Sequence, residues 1–310
     1  MRSLISILDL SSDEIREIFA QAARLKAERK RWEKLLRGKT LGLLFDKPSL
    51  RTRVSFEVGM HQLGGYTLYL GPHEVGLGKR ESVKDIARTL SRYLDCLVAR
   101  VFDHTTIVEL AREADIPVIN GLSNLFHPCQ ILSDLFTIME KREKKLKDIK
   151  IAFIGDGSSN MANSWLCAAA QFKINLAIAT PQRYEPNAAV LLKTREAGGK
   201  SFLRNVCVLR DPVEAVKEAD VIYTDTWVSM GQDEERKERK RAFRRFQVNE
   251  ELLQSAKPDV MVMHCLPLHR GEEITDTVIE SPQSIIFDQV ENRLHLQKAI
   301  LLFLLDKKTY

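Results

Sequence analysis

The chain has 310 residues, 44% of them hydrophobic and 29% charged, with a net charge of +5. That length exceeds what one hydrophobic core ordinarily organises, so two domains of about 150 residues are expected. The composition is that of a soluble globular protein, and the longest apolar runs, such as Ala299–Leu305, fall far short of the ~20 residues that span a bilayer.

Helical and strand patterns alternate from the start. Asp9–Arg29 is amphipathic, with Ile15, Ile18, Phe19, Ala22 and Leu25 on one face and Ser11-Ser12-Asp13-Glu14 as its N-terminal cap. Met1-Arg2-Ser3 runs directly into that pattern without an apolar signal-peptide core, so a cytoplasmic location is expected. Strands are predicted at 41–45, 67–70, 96–101 and 116–119, and helices at 50–63, 82–94, 105–114 and 128–140. The charged segment Glu140–Asp148, with Leu146 its one apolar residue, marks a domain boundary. A second series follows, with strands at 150–154, 175–179, 221–224, 259–263 and 285–287 and helices between. Alternating β and α in both halves predicts an α/β protein of two doubly wound parallel-sheet domains, with the active site in the cleft between them. The boundaries are 1–140 together with a C-terminal helix over 291–310, and 149–290.

The charge excess sits in two runs, Lys141–Lys150 and Arg236–Arg245, and each alternates in sign. Both read as solvated helical faces, and with only Phe243 and Phe246 nearby they do not form a nucleic-acid surface. The five cysteines, at 96, 129, 167, 207 and 265, are odd in number and scattered, which predicts reduced thiols.

Ligands of such sheets gather beyond the carboxyl ends of the strands, and the chemically distinctive segments fall there. After the strand Leu41–Phe45 comes FDKPSLRTRVSFE, residues 45–57. Pro48 fixes the turn, Ser49 caps the next helix, and the backbone N–H groups of residues 50–52 are expected to converge with the helix dipole behind them. The hydroxyls of Ser49 and Thr52 and the forked donors of Arg51 complete a cradle for a phosphoryl dianion. GDGSSNMANS, residues 155–164, lacks the third glycine of a dinucleotide fingerprint, and no acidic residue ends the following strand near Ala179, so NAD is not expected. Cys265, in MHCLP, admits three readings: a nucleophile, a metal ligand with His264 and His269, or a non-covalent polar group.

Ser49-Leu50-Arg51-Thr52-Arg53, HPCQ at 127–130, DTWVSMG at 225–231, HCLP at 264–267 and FDQVENRLHLQKA at 287–299 stand in the order and spacing of one known family. Across residues 3–305 the chain resembles the aspartate/ornithine carbamoyltransferases, and S-M-G with H-C-L-P resembles the ornithine branch. The resemblance implies a first domain for carbamoyl phosphate, a second for the amino acid, and a last helix packed back on the first. In its terms Ser49, Leu50, Arg51, Thr52 and Arg293 hold the phosphate. Thr52, Arg100 and His127 donate to the carbamoyl oxygen, while Gln130 accepts from the carbamoyl NH2 group; Cys265 and Leu266 are implied to border the carbamoyl phosphate as well, Leu266 lending its backbone carbonyl to the same groups as Cys265. Asn160, Asp225, Ser229 and Met230 hold ornithine, and Cys265 beside Asp225 orients the δ-amine and favours the non-covalent reading. Arg100, His127 and Cys265 are the implied catalytic residues. Phosphate is a good leaving group, so no metal and no other cofactor is demanded. The implied partners are carbamoyl phosphate, L-ornithine and further copies of the chain in a homotrimer, with no nucleic acid and no membrane. A carbamoyltransferase for putrescine or an N-acylornithine is the alternative. Two departures stand out: Leu50 replaces the usual threonine, and Gly76 stands where the family often places a glutamine or histidine reaching into the neighbouring subunit. His73, Lys79 and Arg80 are the candidates to replace it.

Overall fold

The computed structural model describes residues 2–28, 34–78, 80–229, 231 and 233–305. The chain divides into two compact units, Met1–Phe136 with Glu291–Tyr310, and Thr137–Val290. Helix α1 (Ser12–Ala27) begins with the expected capping box: Ser11 Oγ accepts from Glu14 N at 3.2 Å, and Glu14 Oε2 accepts from Ser11 N at 2.7 Å. Four parallel strands follow, β1 (Thr40–Phe45), β2 (Tyr66–Leu70), β3 (Cys96–Arg100) and β4 (Val118–Leu122), in the order β2-β1-β3-β4. Between and after them run α2 (Leu50–Gln62), α3 (Pro72–Val75), α4 (Val83–Leu90), α5 (His104–Glu113) and α6 (Pro128–Lys141). Leu44, Leu97 and Ala99 of the sheet bury against Ile86 of α4 and Ile107 and Leu110 of α5.

The second sheet has five parallel strands, β5 (Lys150–Ile154), β6 (Asn175–Ala179), β7 (Val206–Leu209), β8 (Val221–Thr224) and β9 (Met261–His264), in the order β7-β6-β5-β8-β9. Its helices are α7 (Asn160–Phe172), α8 (Ala188–Asn205), α9 (Pro212–Val216), α10 (Arg236–Phe243), α11 (Glu250–Gln254) and α12 (Asp276–Ile279). Helix α13 (Ile286–Leu305) returns the chain to the first unit, where Lys26 Nζ of α1 donates to Asn292 Oδ1 at 2.8 Å. Two parallel-sheet α/β units were the expectation, and they are found. No helix of the described residues is long and apolar enough to cross a membrane.

Three sequence expectations need correction. Residues 285–287 are not a strand. Ile285 N donates once to Val262 O at 3.0 Å beside β9, and the chain then coils into α13, leaving Phe287 65% exposed. Strand β7 was not anticipated: it is a four-residue edge with Cys207 and Val208 outward, too short and too exposed to print a clear apolar signal. The basic run 236–245 is not a wholly solvated face, because Arg239 is only 2% exposed.

In each sheet the strand order reverses once, between β1 and β3 in the first and between β5 and β8 in the second. Connections on either side of such a point leave to opposite faces, opening a crevice at the carboxyl ends. The segments singled out in the sequence follow β1 and end β3 in the first unit, and follow β5 and β8 in the second.

Candidate functional site

In the first unit, parallel pairing sets Phe45 of β1 beside Arg100 of β3, and Asp46 N donates to Arg100 O at 2.8 Å. This brings the start of α2 next to the Arg100 side chain, which is 6% exposed. Ser49 caps α2, its Oγ accepting from Thr52 N at 3.2 Å. That bond corrects the expectation of three convergent backbone donors, since the Thr52 amide is already engaged. Leu50 turns its side chain outward, 72% exposed, so only its backbone can serve a ligand. Arg53 also leaves the cluster, stacking over Tyr69 at 3.8 Å and donating to Glu57 at 3.0 Å.

His127 precedes Pro128 at the first position of α6, where a proline costs no helical hydrogen bond, and its carbonyl accepts from Gln130 N and Ile131 N. Burial, reinforced by the guanidinium groups of Arg293, Arg100 and Arg51, holds its imidazole well below the ordinary histidine value. At neutral pH the ring is therefore uncharged and offers one N–H. Arg293, on α13 and 3% exposed, donates through Nη2 to Thr52 Oγ1 at 3.2 Å and through Nη1 to Gln130 Oε1. Gln130 Nε2 donates in turn to Asp134 Oδ1 at 2.8 Å. Thus Thr52, Arg100, His127, Gln130 and Arg293 form one polar cluster, with the Arg51 charge acting on its histidine. A neutral imidazole surrounded by guanidinium groups suits a small, doubly charged anion.

Lys47 belongs to this cluster too and was not assigned from sequence. It is 7% exposed, its Nζ lies 4.1 Å from the Phe102 ring centroid, and burial followed by the Arg100 charge lowers its pKa. The signal was available: a lysine two residues after a buried strand has little reason to be buried unless it faces a ligand.

In the second unit, Gly155 follows β5 with φ +135°, and a Cβ on Gly157 would stand 2.8 Å from Tyr184 O. Those two constraints explain both glycines without a dinucleotide. Ser159 caps α7 through Ala162 N at 3.1 Å and places Asn160 at its first position. Asp225, directly after β8, accepts from Thr226 N at 2.8 Å and from Cys265 Sγ at 3.1 Å. Burial pushes its carboxyl pKa up, against the opposing pull of His264, Cys265 and the Thr226 amide. Ser229 follows on the same segment; Met230 lies outside the described residues, as does Lys79.

Cys265 is carried by a tightly held turn. His264 Nε2 lies 3.1 Å from Glu273 Oε1, and its Nδ1 accepts from Leu266 N at 2.8 Å. Glu273 Oε1 also accepts from His269 N at 2.7 Å, and Leu266 adopts φ +57°, which a leucine rarely does. Since Nδ1 is an acceptor, Nε2 carries the proton, and His264 is committed to Glu273 rather than to activating Cys265. The same commitment bears on metal binding. Donor atoms of Asp225, His264 and Cys265 lie within 4.8 Å of one another, as do those of His269, Glu272 and Glu273. Yet both His264 nitrogens are engaged, and Glu272 is tied to Lys240 at 2.5 Å.

Gly76, which closes α3 with φ +61°, offers no side chain to another subunit, and a Cβ there would stand 2.9 Å from Arg80 Cβ. His73 and Arg80 are both exposed beside it.

Comparison with known proteins gives the following matches. Residues 2–140 fit the sequence model of the aspartate/ornithine carbamoyltransferase carbamoyl-P binding domain, and residues 147–304 that of the family's Asp/Orn binding domain. An ornithine carbamoyltransferase of Archaeoglobus fulgidus is 54% identical over 311 residues, covering 100% of this chain and 99% of that protein. The solved ornithine carbamoyltransferase of Pyrococcus furiosus superposes with a TM-score of 0.93 at 48% identity, covering 99% of this chain and 97% of that one. An anabolic ornithine carbamoyltransferase from Campylobacter jejuni superposes with a TM-score of 0.90 at 39% identity, covering 98% of this chain and 99% of that one.

Proposed function

Because the chain belongs to the aspartate/ornithine carbamoyltransferase family, we propose that it moves the carbamoyl group of carbamoyl phosphate to the δ-amine of L-ornithine, giving L-citrulline and phosphate. The observation that carries the choice of substrate is the Cys265 thiol lying 3.1 Å from the Asp225 carboxylate at the ends of adjacent strands. Such a pair suits a substrate that presents amines, and Asn160 at the first position of α7 is suited to a carboxylate.

Residues 1–140 with 291–310 hold carbamoyl phosphate, and residues 149–290 hold ornithine. The phosphate lies on Ser49, the Leu50 amide, Arg51, Thr52 and Arg293. Arg293 now donates to Gln130. As its guanidinium turns to the phosphate it releases Gln130 Oε1, which accepts from the carbamoyl NH2 together with the Leu266 carbonyl. Thr52, Arg100 and neutral His127 donate to the carbamoyl oxygen. Asn160 takes the ornithine carboxylate, Asp225 its α-ammonium, and Ser229 and Met230 close on the amino acid. Cys265 and Asp225 orient the δ-amine and help it lose its proton. The amine lone pair then attacks the carbamoyl carbon, the C–N bond forms, and negative charge gathers on the carbamoyl oxygen. Three positioned donors stabilise that charge, and removing one such donor ordinarily costs about 3–4 kcal/mol of barrier. Collapse breaks the bond between the carbamoyl carbon and the bridging oxygen, and phosphate leaves with its electron pair and takes up the second proton shed by the attacking nitrogen. The chain works as a cytoplasmic homotrimer without a metal, and its named anabolic relative favours the direction toward citrulline.

Product formation from carbamoyl phosphate with ornithine, putrescine and N-acetylornithine, measured side by side, tests the reading. Ornithine is expected to be preferred by kcat/KM; a preference for either of the others overturns it.

A further inference from the structure

Arg239 is the one member of the basic run 236–245 whose burial needs a reason beyond packing. It is 2% exposed, and a guanidinium brought that far out of water must be hydrogen-bonded on several sides. Its Nε donates to Trp227 O at 2.9 Å and its Nη2 to Asp156 Oδ2 at 2.5 Å. Its plane lies 4.9 Å from the Tyr184 ring centroid and 5.7 Å from that of Phe243. Asp156 is itself 3% exposed, and its second oxygen accepts from Ser158 N at 2.9 Å and from Ser158 Oγ at 2.6 Å.

These bonds join two segments that leave different strands. Asp156 lies four residues before Asn160, on the turn from β5 into α7, and Ser158 fixes that turn to the Asp156 carboxylate. Trp227 lies two residues after Asp225 and two before Ser229, on the turn leaving β8. One guanidinium therefore spans the segment bearing the carboxylate-binding group and the segment bearing the ammonium-binding groups. The Trp227 ring adds a second tie by standing against Gly155, where a Cβ would meet it at 3.9 Å. An α-amino acid presents its carboxylate and ammonium at a fixed separation, so recognition depends on how far apart Asn160 and Asp225 are held.

We propose that Arg239 and Asp156 are positioning residues for the amino acid: their ion pair sets the spacing of Asn160 and Asp225 and thereby selects an α-amino acid over an amine that lacks the carboxylate. The inference rests on the ornithine reading given above. Arginine is required because a single group must reach a carbonyl and a carboxylate at once. Lysine keeps the charge but not the fork. Aspartate is required because Asp156 must accept from both Arg239 and Ser158.

The test uses the full-length Arg239→Met, Arg239→Lys and Asp156→Asn variants, with steady-state kinetics on ornithine and putrescine and calorimetric titration with carbamoyl phosphate. Expected for Arg239→Met is an ornithine KM at least tenfold higher, an ornithine-to-putrescine ratio of kcat/KM at least tenfold lower, and carbamoyl phosphate binding within twofold of wild type. Arg239→Lys and Asp156→Asn should fall between, and Asp156→Asn, which preserves volume, guards against failure of the methionine variant to fold. A merely structural role would weaken both substrates together or lower kcat alone, and either result overturns the proposal. So does an unchanged ornithine-to-putrescine ratio in variants that bind carbamoyl phosphate normally. Wild type preferring putrescine overturns the ornithine reading itself, and the positioning inference with it.

Discussion

The chemistry turns on which group gives up a proton, and the environments of three residues decide that. Burial and the surrounding guanidinium groups hold His127 well below the ordinary histidine value, so its imidazole is uncharged at neutral pH and does not titrate as the pH rises further. Ornithine's δ-ammonium behaves as an alkyl amine titrating near ~10.4, and only its neutral form attacks. The rate should therefore climb with pH above neutrality through the amine, with no inflection from His127. In the mechanism proposed above, Cys265 and Asp225 act on that amine. Replacing Cys265 by serine or alanine should lower turnover and weaken ornithine binding, leave measurable activity, and leave carbamoyl phosphate binding nearly intact. A covalent role predicts near-total loss in both variants and a carbamoyl-thioester on the enzyme. Mass spectrometry of enzyme quenched during turnover reads that adduct directly. Its presence would sink direct attack, which the commitment of His264 to Glu273 already disfavours.

At the scale of elements, residues carrying their own local code were legible and residues answering to distant partners were not. Ser11 and Glu14 declare a helix start through a capping box, and Leu41–Phe45 declares a strand buried on both faces. Ile285, Ile286 and Phe287 look equally like a strand, but the one bridge to β9 falls before them, between Val262 and Ser284, and the helix that begins at Ile286 wins. Arg239 resembles its solvated neighbours until Asp156, 83 residues earlier, is placed against it. The proposed phosphate cradle could be named from sequence for the opposite reason, since Ser49, Arg51 and Thr52 lie within four residues of one another. Lys47 and the partners of Arg293 needed the fold. Glycines belong to both classes: Gly157 reads as half of a nucleotide fingerprint, yet its reason is the approach of Tyr184 O. In Gly157→Ala the new methyl would stand 2.8 Å from that carbonyl, 3.1 Å from Thr180 Cγ2 and 3.2 Å from Pro186 Cδ. Backbone and a proline ring cannot yield as a flexible side chain can, so a loss of about 1–3 kcal/mol is expected. Urea unfolding checks the figure. The ornithine KM should rise as well, because Asn160 follows three residues on, and an unchanged KM with an unchanged midpoint would show that the turn has room to spare.

At the scale of the whole molecule, several large apolar side chains of the first unit that stand in water lie on neighbouring elements. Leu50, Val54 and Val58 recur every fourth residue along α2 and are 72%, 45% and 37% exposed, so they form a stripe on one side of the helix. The sheet edge in contact with that helix is β2, whose Tyr66 and Leu68 share a face and are 66% and 40% exposed. An edge strand with outward aromatic and aliphatic side chains invites pairing unless something covers it, and no charge interrupts Tyr66–Leu70 to prevent that. Further copies of the chain are the expected cover, in keeping with the trimer proposed above. Sedimentation velocity of the intact chain at micromolar concentration should therefore give a trimer. Val54→Glu with Val58→Glu should shift it toward monomer, since each places a charge on the stripe without touching Ser49, Arg51 or Thr52. A wild-type chain that sediments as a monomer and turns over at its full rate would refute the assembly. A double variant that remains trimeric would move the interface elsewhere on the molecule.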